Sequence, residues 1–191
     1  MACIDDFNAR GTNIAAYNPL ASEPGPADFA AQLVAVARTP FLPISLPGGV
    51  LAWAQLGAAD TAGALGITEP TGPRFTSNVL RSCGLVVAPA LAVDRQGMRL
   101  GKGAGYYDRA LSNLDVPVAA VVYDWEVVDA VPHDAHDQAV DAVITPEGFF
   151  RVRERGDNCG ECRADDDADG KLDDVAAHDE VFKSLKHASG Y

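Results

Sequence analysis

The chain reads as an α/β protein built on a parallel sheet. Three apolar runs carry that expectation: residues 84–88 (GLVVA), 118–123 (VAAVVY) and 142–145 (AVIT). Each is continuous rather than alternating, as expected of a strand covered on both faces. Stretches with helical spacing lie between the runs, and strands separated by helices imply parallel pairing.

Taken in order, residues 14–17 (IAAY) predict a short strand, followed by a Pro- and Gly-rich loop through Pro26. Residues 28–38 place Phe29, Leu33 and Val36 on one face at helical spacing, so a helix is expected there. Residues 41–46 form a short apolar run broken by prolines. The strand at 84–88 follows, then a helix over 106–114 and the strands at 118–123 and 142–145. After Phe150 the apolar rhythm fades. Residues 154–180 hold 11 acidic and 3 basic side chains and few large apolar ones. Such a segment cannot offset its ordering entropy by burial. The expected organisation is one domain over 1–150 and an acidic, largely disordered tail over 151–191, with a short helix at 180–187. No internal repeat is present.

The 191 residues are 48% hydrophobic, enough to bury a core, and carry a formal charge of −12. That balance argues against nucleic-acid binding, which needs a basic footprint, and against anionic membrane surfaces. No apolar run reaches the roughly 18 residues of a membrane helix. The first residues lack the basic start and apolar stretch of a signal peptide. Cys3, Cys83, Cys159 and Cys162 are too few and too uneven for a disulfide framework. A cytoplasmic protein, taken as a monomer, is the expectation.

The segment with the most chemistry is Arg99-Leu-Gly-Lys-Gly-Ala-Gly-Tyr-Tyr-Asp-Arg109. Glycines at 101, 103 and 105 let a ligand approach the backbone closely. Consecutive N–H groups before a helix start suit an anion. Arg99 and Lys102 add positive charge, and Asp108 is placed to hold Mg²⁺ beside phosphates. The alternative is a flexible turn followed by an Asp that merely offsets a helix dipole. The spacing fits neither the Walker pattern nor the dinucleotide fingerprint.

This string resembles the signature of the 5-formyltetrahydrofolate cyclo-ligase (5,10-methenyltetrahydrofolate synthetase) family. Gly66-Ile-Thr-Glu-Pro70, the segments 87–97, 131–137 and 140–145, and Tyr17-Asn-Pro-Leu-Ala-Ser-Glu23 resemble further family segments in the expected order. The resemblance spans roughly residues 14–147. It implies a three-layer α/β/α sandwich with a mainly parallel sheet. It also implies an enzyme that uses ATP to phosphorylate the formyl oxygen of 5-formyltetrahydrofolate. The N10 amine then attacks the activated carbon, and loss of phosphate gives the 5,10-methenyl product. The partners are then small molecules, a reduced folate and ATP, with Mg²⁺ as the metal.

By the same resemblance, Arg99, Leu100, Gly101, Lys102, Gly103, Ala104, Gly105, Tyr106 and Tyr107 contact ATP. Tyr17, Glu23 and residues Lys102 to Tyr106 contact the folate. Arg99, Tyr106 and Tyr107 serve the chemistry, and Asp108 and Asp137 hold Mg²⁺. Bland readings stand beside these: Tyr106 as a core residue, and Asp137 as a turn residue with Asp134 and Asp141 as rivals for the metal. Trp53 and Trp125 are expected to be packing residues, and Glu69 structural. His133 and His136 lack the spacing of a helical metal pair. Cys159 and Cys162 make one knuckle without the second pair that structural zinc needs. The acidic run 165–170 starts like a Ca²⁺ loop but has Ala176 where the bidentate Glu belongs.

Family members usually open on a helix with Lys and Arg that reach the ATP phosphates. No such motif precedes residue 14, and Arg10 is a poor substitute. That motivates a second reading, a folate- or nucleotide-binding protein without catalysis. A third is a sugar-phosphate enzyme of similar architecture, which would not need Asp108 as a metal ligand.

Overall fold

The computed structural model describes residues 1–26, 28–56, 72–134 and 137–152, and the backbone of 60–62 and 68–70. His136, the Glu69 side chain, Cys159, Cys162 and the rest of the acidic tail lie outside the described residues. In chain order the elements are α1 (Ala2–Asp6), β1 (Asn13–Ala15), α2 (Phe29–Gln32), β2 (Thr39–Leu46), β3 (Val50–Gln55), β4 (Asp60–Ala62), β5 (Thr68–Pro70), β6 (Arg74–Phe75), β7 (Cys83–Pro89), β8 (Ala92–Asp94), β9 (Arg99–Leu100), α3 (Tyr106–Leu111), β10 (Val118–Val121), β11 (Val127–Val128), β12 (Ala142–Thr145) and β13 (Gly148–Arg151). Short 3₁₀ turns follow α2 and precede β7 and β11.

Eight strands form the central sheet in the order β13-β12-β10-β7-β1-β2-β3-β6. The inner five, from β12 to β2, pair in parallel. The antiparallel β13, β3 and β6 extend its edges. Side chains alternate between two apolar layers, as a period of two requires. Ala15, Val86, Ala88, Val118, Ala120 and Val143 join one layer, with Trp53, Leu80 and Leu111. Ile14, Leu85, Val87, Ala119, Val121 and Ala142 join the other, with Cys3, Ile4, Leu33 and Val36. Helical segments thus flank a largely parallel sheet, which is an α/β/α sandwich. Among the described residues, no helix is long and apolar enough to cross a membrane.

Several expectations change in detail. The helix expected over 28–38 is α-helical only for Phe29–Gln32 and closes in a 3₁₀ turn at Leu33–Ala35. The helix expected over 106–114 ends at Leu111, because Ser112 turns to ψ 127° and Asn113 to φ 54°. The residues before β1 contain α1, whose Cys3 and Ile4 are buried. Arg10 there bonds Asp5 at the surface, 2.8 Å away. Residues 41–46, read as a broken run, belong to the full strand β2. Its ladder with β1 ends at Phe41, so the missing N–H of Pro43 breaks no bond on that side. Trp53 is fully buried, but Trp125 is 75% exposed and stacks on Tyr123 at 4.6 Å, so it is not a core residue.

A smaller sheet, in the order β11-β8-β9, leads the chain into the glycine loop. Buried Asp94 governs it. One carboxylate oxygen accepts the N–H groups of Gln96 and Met98, each at 2.9 Å, and the other accepts that of Val131 at 3.0 Å. Asp141 is likewise buried, accepting the Val118 N–H at 2.8 Å, which makes it a structural residue and not a metal rival. Replacing Asp94 with Ala strands three amides and is expected to cost about 2–4 kcal/mol. Asp94→Asn, which keeps one acceptor oxygen, should cost less. Urea unfolding of both variants measures the difference.

Candidate active site

The strand order reverses direction at β1, with β2 on one side and β7 on the other. Open α/β sheets bind ligands at the carboxyl ends of strands at such a point. A cavity of about 460 Å³ lies there, walled by Tyr17 and Asn18 after β1 and by Pro89, Ala90 and Leu91 at the end of β7. Every site residue expected from the sequence lines this one cavity: Tyr17, Glu23, Arg99, Leu100, Gly101, Lys102, Gly103, Ala104, Gly105, Tyr106, Tyr107, Asp108 and Asp137. Asp134 does not line it.

The glycine loop runs from the end of β9 to the start of α3. Gly103 and Gly105 adopt φ of 81° and 64°, whereas Gly101 does not take a positive φ. The following helix has six residues, so few peptide dipoles add up behind the loop. Charge comes instead from side chains. Arg99 is buried, and its guanidinium bonds an Asp108 carboxylate oxygen at 2.6 Å. It also lies 5.8 Å from the centre of the Tyr107 ring, within cation–π range. Trp53 meets that ring edge-on, with centroids 6.4 Å apart. Lys102 reaches across the cavity to Glu23 at 2.9 Å. The other Glu23 carboxylate oxygen accepts the Leu20 N–H at 2.9 Å. Asp137 accepts the Asp134 N–H at 2.8 Å, which makes it a turn residue as well as a lining one.

Among the described residues, three buried side-chain polar atoms have no hydrogen-bond partner, and all belong to lining residues: the Tyr17 and Tyr107 hydroxyls and Arg99 Nε. Tyr106, by contrast, donates its hydroxyl to the Leu46 carbonyl at 3.3 Å. Burial pushes the Tyr17 phenol above its ordinary value, and the negative charge of Glu23 adds to that. Burial does the same for Tyr107 against the opposing pull of Arg99. Both tyrosines are therefore protonated donors at neutral pH. Together with Glu23 as acceptor, they suit a ligand that carries both carbonyl-type oxygens and N–H groups.

The apolar wall escaped sequence reading. Leu42, Pro43 and Leu51, contributed by β2 and β3, line the cavity. Nothing in an apolar strand separates a residue facing a cavity from one facing the core.

A model of the 5-formyltetrahydrofolate cyclo-ligase family matches residues 6–146. A 5-formyltetrahydrofolate cyclo-ligase of Mycolicibacterium smegmatis is 37% identical over 155 residues, covering 75% of this chain and 78% of that protein. Among solved structures, a 5,10-methenyltetrahydrofolate synthetase of Aquifex aeolicus is similar with a TM-score of 0.63 and 26% identity, covering 84% of this chain and 78% of that one. A 5,10-methenyltetrahydrofolate synthetase of Mycoplasma pneumoniae shares the fold, with a TM-score of 0.52 and 20% identity over 69% of this chain and 71% of that one.

The unpartnered hydroxyls predict an unusual stability profile. Tyr107→Phe removes a buried hydroxyl that has no partner among the described residues, so it should leave stability unchanged or raise it by up to about 1–2 kcal/mol. Folding also holds Tyr17 and Tyr107 protonated above the ordinary 10.0, and holds Cys83 up to about 11 and Cys3 up to about 12 against the ordinary 9.0. Raised folded-state values mean that the unfolded chain loses protons first as pH rises. Stability is therefore full below pH 9 and falls above it. Denaturant titrations from pH 8 to 11 should show that fall, and a smaller one in Tyr107→Phe.

Proposed function

The chain belongs to the 5-formyltetrahydrofolate cyclo-ligase family, and from that premise we propose that it converts 5-formyltetrahydrofolate and ATP to 5,10-methenyltetrahydrofolate, ADP and phosphate. The observation that carries this reading is the convergence on one cavity of the glycine loop, Glu23, Arg99, the tyrosines and two carboxylates.

The chemistry needs two ligands held end to end. The formyl oxygen attacks the γ-phosphorus and ADP leaves. N10 then attacks the activated carbon, and phosphate departs. Phosphoryl transfer depends on positioning and charge neutralisation more than on a protein nucleophile. A loop with few side chains, residues 101–105, lets the triphosphate approach the main chain. Lys102 is 55% exposed in its side chain and exchanges Glu23 for phosphate oxygens. Glu23, so released, accepts from the N–H groups of the reduced folate. Tyr17 and Tyr107 donate to its oxygens, and the Tyr106 ring offers a face for stacking. Arg99 faces the growing charge while Asp108 fixes its orientation.

The residues present fit Mg²⁺. Two cations, Arg99 and Lys102, line the cavity against three carboxylates, Glu23, Asp108 and Asp137, so the side chains alone do not neutralise a triphosphate. Among the described residues, no group of three or more candidate ligands stands ready to hold a metal alone. Mg²⁺ takes one or two carboxylates and completes its shell with water and phosphate. Asp108 and Asp137 would hold it, and when bound it offsets charge on the phosphate oxygens.

The direct test follows methenyl absorbance with 5-formyltetrahydrofolate and Mg-ATP. A rise with matching ADP release is expected. Asp137→Asn should raise the Mg²⁺ concentration for half-maximal rate by about tenfold, the loss of one charged ligand. Calorimetric uptake of folate without any ATP consumption would make the protein a folate binder and remove catalysis from the reading.

A further inference from the structure

Arg109 ends the glycine-loop signature but does not line the cavity. Its side chain turns from α3 toward the backbone of two other segments. Nε donates to the Gly49 carbonyl at 2.8 Å, and Nη2 donates to the Ala104 carbonyl. Gly49 belongs to the turn between β2 and β3, and Ala104 to the centre of the glycine loop. One guanidinium therefore ties the hairpin, the loop and the helix together.

The glycines around it are shaped to its presence. A Cβ at Gly49 would stand 1.8 Å from Nη2 and 2.8 Å from Cζ, at a backbone φ of 72°. A Cβ at Gly105 would stand 3.0 Å from Nη1, at φ 64°. Either side chain would have to displace the guanidinium or its bonds. The contact also has a direction. In a planar trans peptide the C=O and the following N–H point opposite ways. Holding the Ala104 carbonyl on Arg109 thus fixes the Gly105 N–H on the other side. A loop that receives phosphates must offer N–H groups, since a carbonyl turned inward would repel phosphate oxygens.

We propose that Arg109 is a positioning residue for the nucleotide: by holding the Ala104 carbonyl against the β2–β3 turn, it keeps the glycine loop in its phosphate-receiving form, with Gly49 as its obligatory partner. The proposal rests on the reading of the loop as the triphosphate site. It places part of the nucleotide machinery in a hairpin turn more than fifty residues upstream of the loop.

The test compares Arg109→Gln, Arg109→Lys, Gly49→Ala and the double variant Arg109→Gln/Gly49→Ala. Three quantities are read: KM for ATP, thermal midpoint, and the rate of tryptic cleavage after Lys102. Arg109→Gln and Gly49→Ala should each raise KM for ATP about tenfold, a misplacement effect, and quicken cleavage after Lys102. The double variant should be no worse than the poorer single one, because both act on one contact. Arg109→Lys should rescue incompletely, since an ammonium cannot reproduce the planar two-carbonyl fork. Unchanged KM and cleavage in Arg109→Gln, multiplying effects in the double variant, or a lowered midpoint with KM unmoved would each overturn the proposal. If the wild-type chain makes no methenyl product, the functional reading fails by itself. The cleavage rates then still decide the contact: faster in both single variants sustains it, and unchanged rates remove it.

Discussion

A buried guanidinium sets the form of this site. Arg99 sits at the start of β9 with its side chain almost wholly removed from water. A charge so placed is tolerated only with a partner. Asp108, on the first turn of α3, is that partner, and the Tyr107 ring covers part of the cation. The bond therefore spans the glycine loop and joins its two ends. With the ends fixed, residues 101–105 between them can be mostly glycine and alanine and still hold a shape. Asp94 does comparable work one step earlier by fixing the hairpin that delivers Arg99.

The same kind of pairing accounts for both cations that line the cavity. Arg99 is held by Asp108 and Lys102 by Glu23. The cavity's unmet hydrogen-bonding groups, among the described residues, are two protonated tyrosine hydroxyls and Arg99 Nε. Buried polar atoms of this kind cost stability unless something bonds them. A ligand that satisfies them recovers that cost, which favours oxygen-bearing ligands over apolar ones of equal size.

The position of the cavity follows from topology. Parallel strands bring their carboxyl ends to one edge of the sheet, and the reversal of order between β2 and β7 opens a crevice above β1. Tyr17 and Glu23 lie far from the loop at 101–105 in the chain, with Glu23 and Lys102 separated by 79 positions. They meet because β1 and β7 are neighbours in register, Ala15 beside Val86. The β2–β3 hairpin then closes one wall, and through Gly49 it reaches the loop that Arg109 secures.

Read alone, the sequence already points to the parallel α/β core and, by family resemblance, to residues that line the cavity. Continuous apolar runs mark strands covered on both faces, and the string from Arg99 to Arg109 marks its chemistry through residue types at fixed short spacing. Those are local signals, and local signals survive in a linear reading. The antiparallel edge strands, helix α1, the exposure of Trp125 and the apolar wall from β2 were decided only by tertiary structure. So were the partners of each charge: that Arg99 faces Asp108, that Lys102 faces Glu23, and that Arg109 holds a turn from another part of the chain. Each of these depends on contacts between residues far apart in sequence. The energy of such a contact depends on burial and distance, which no spacing along the chain records.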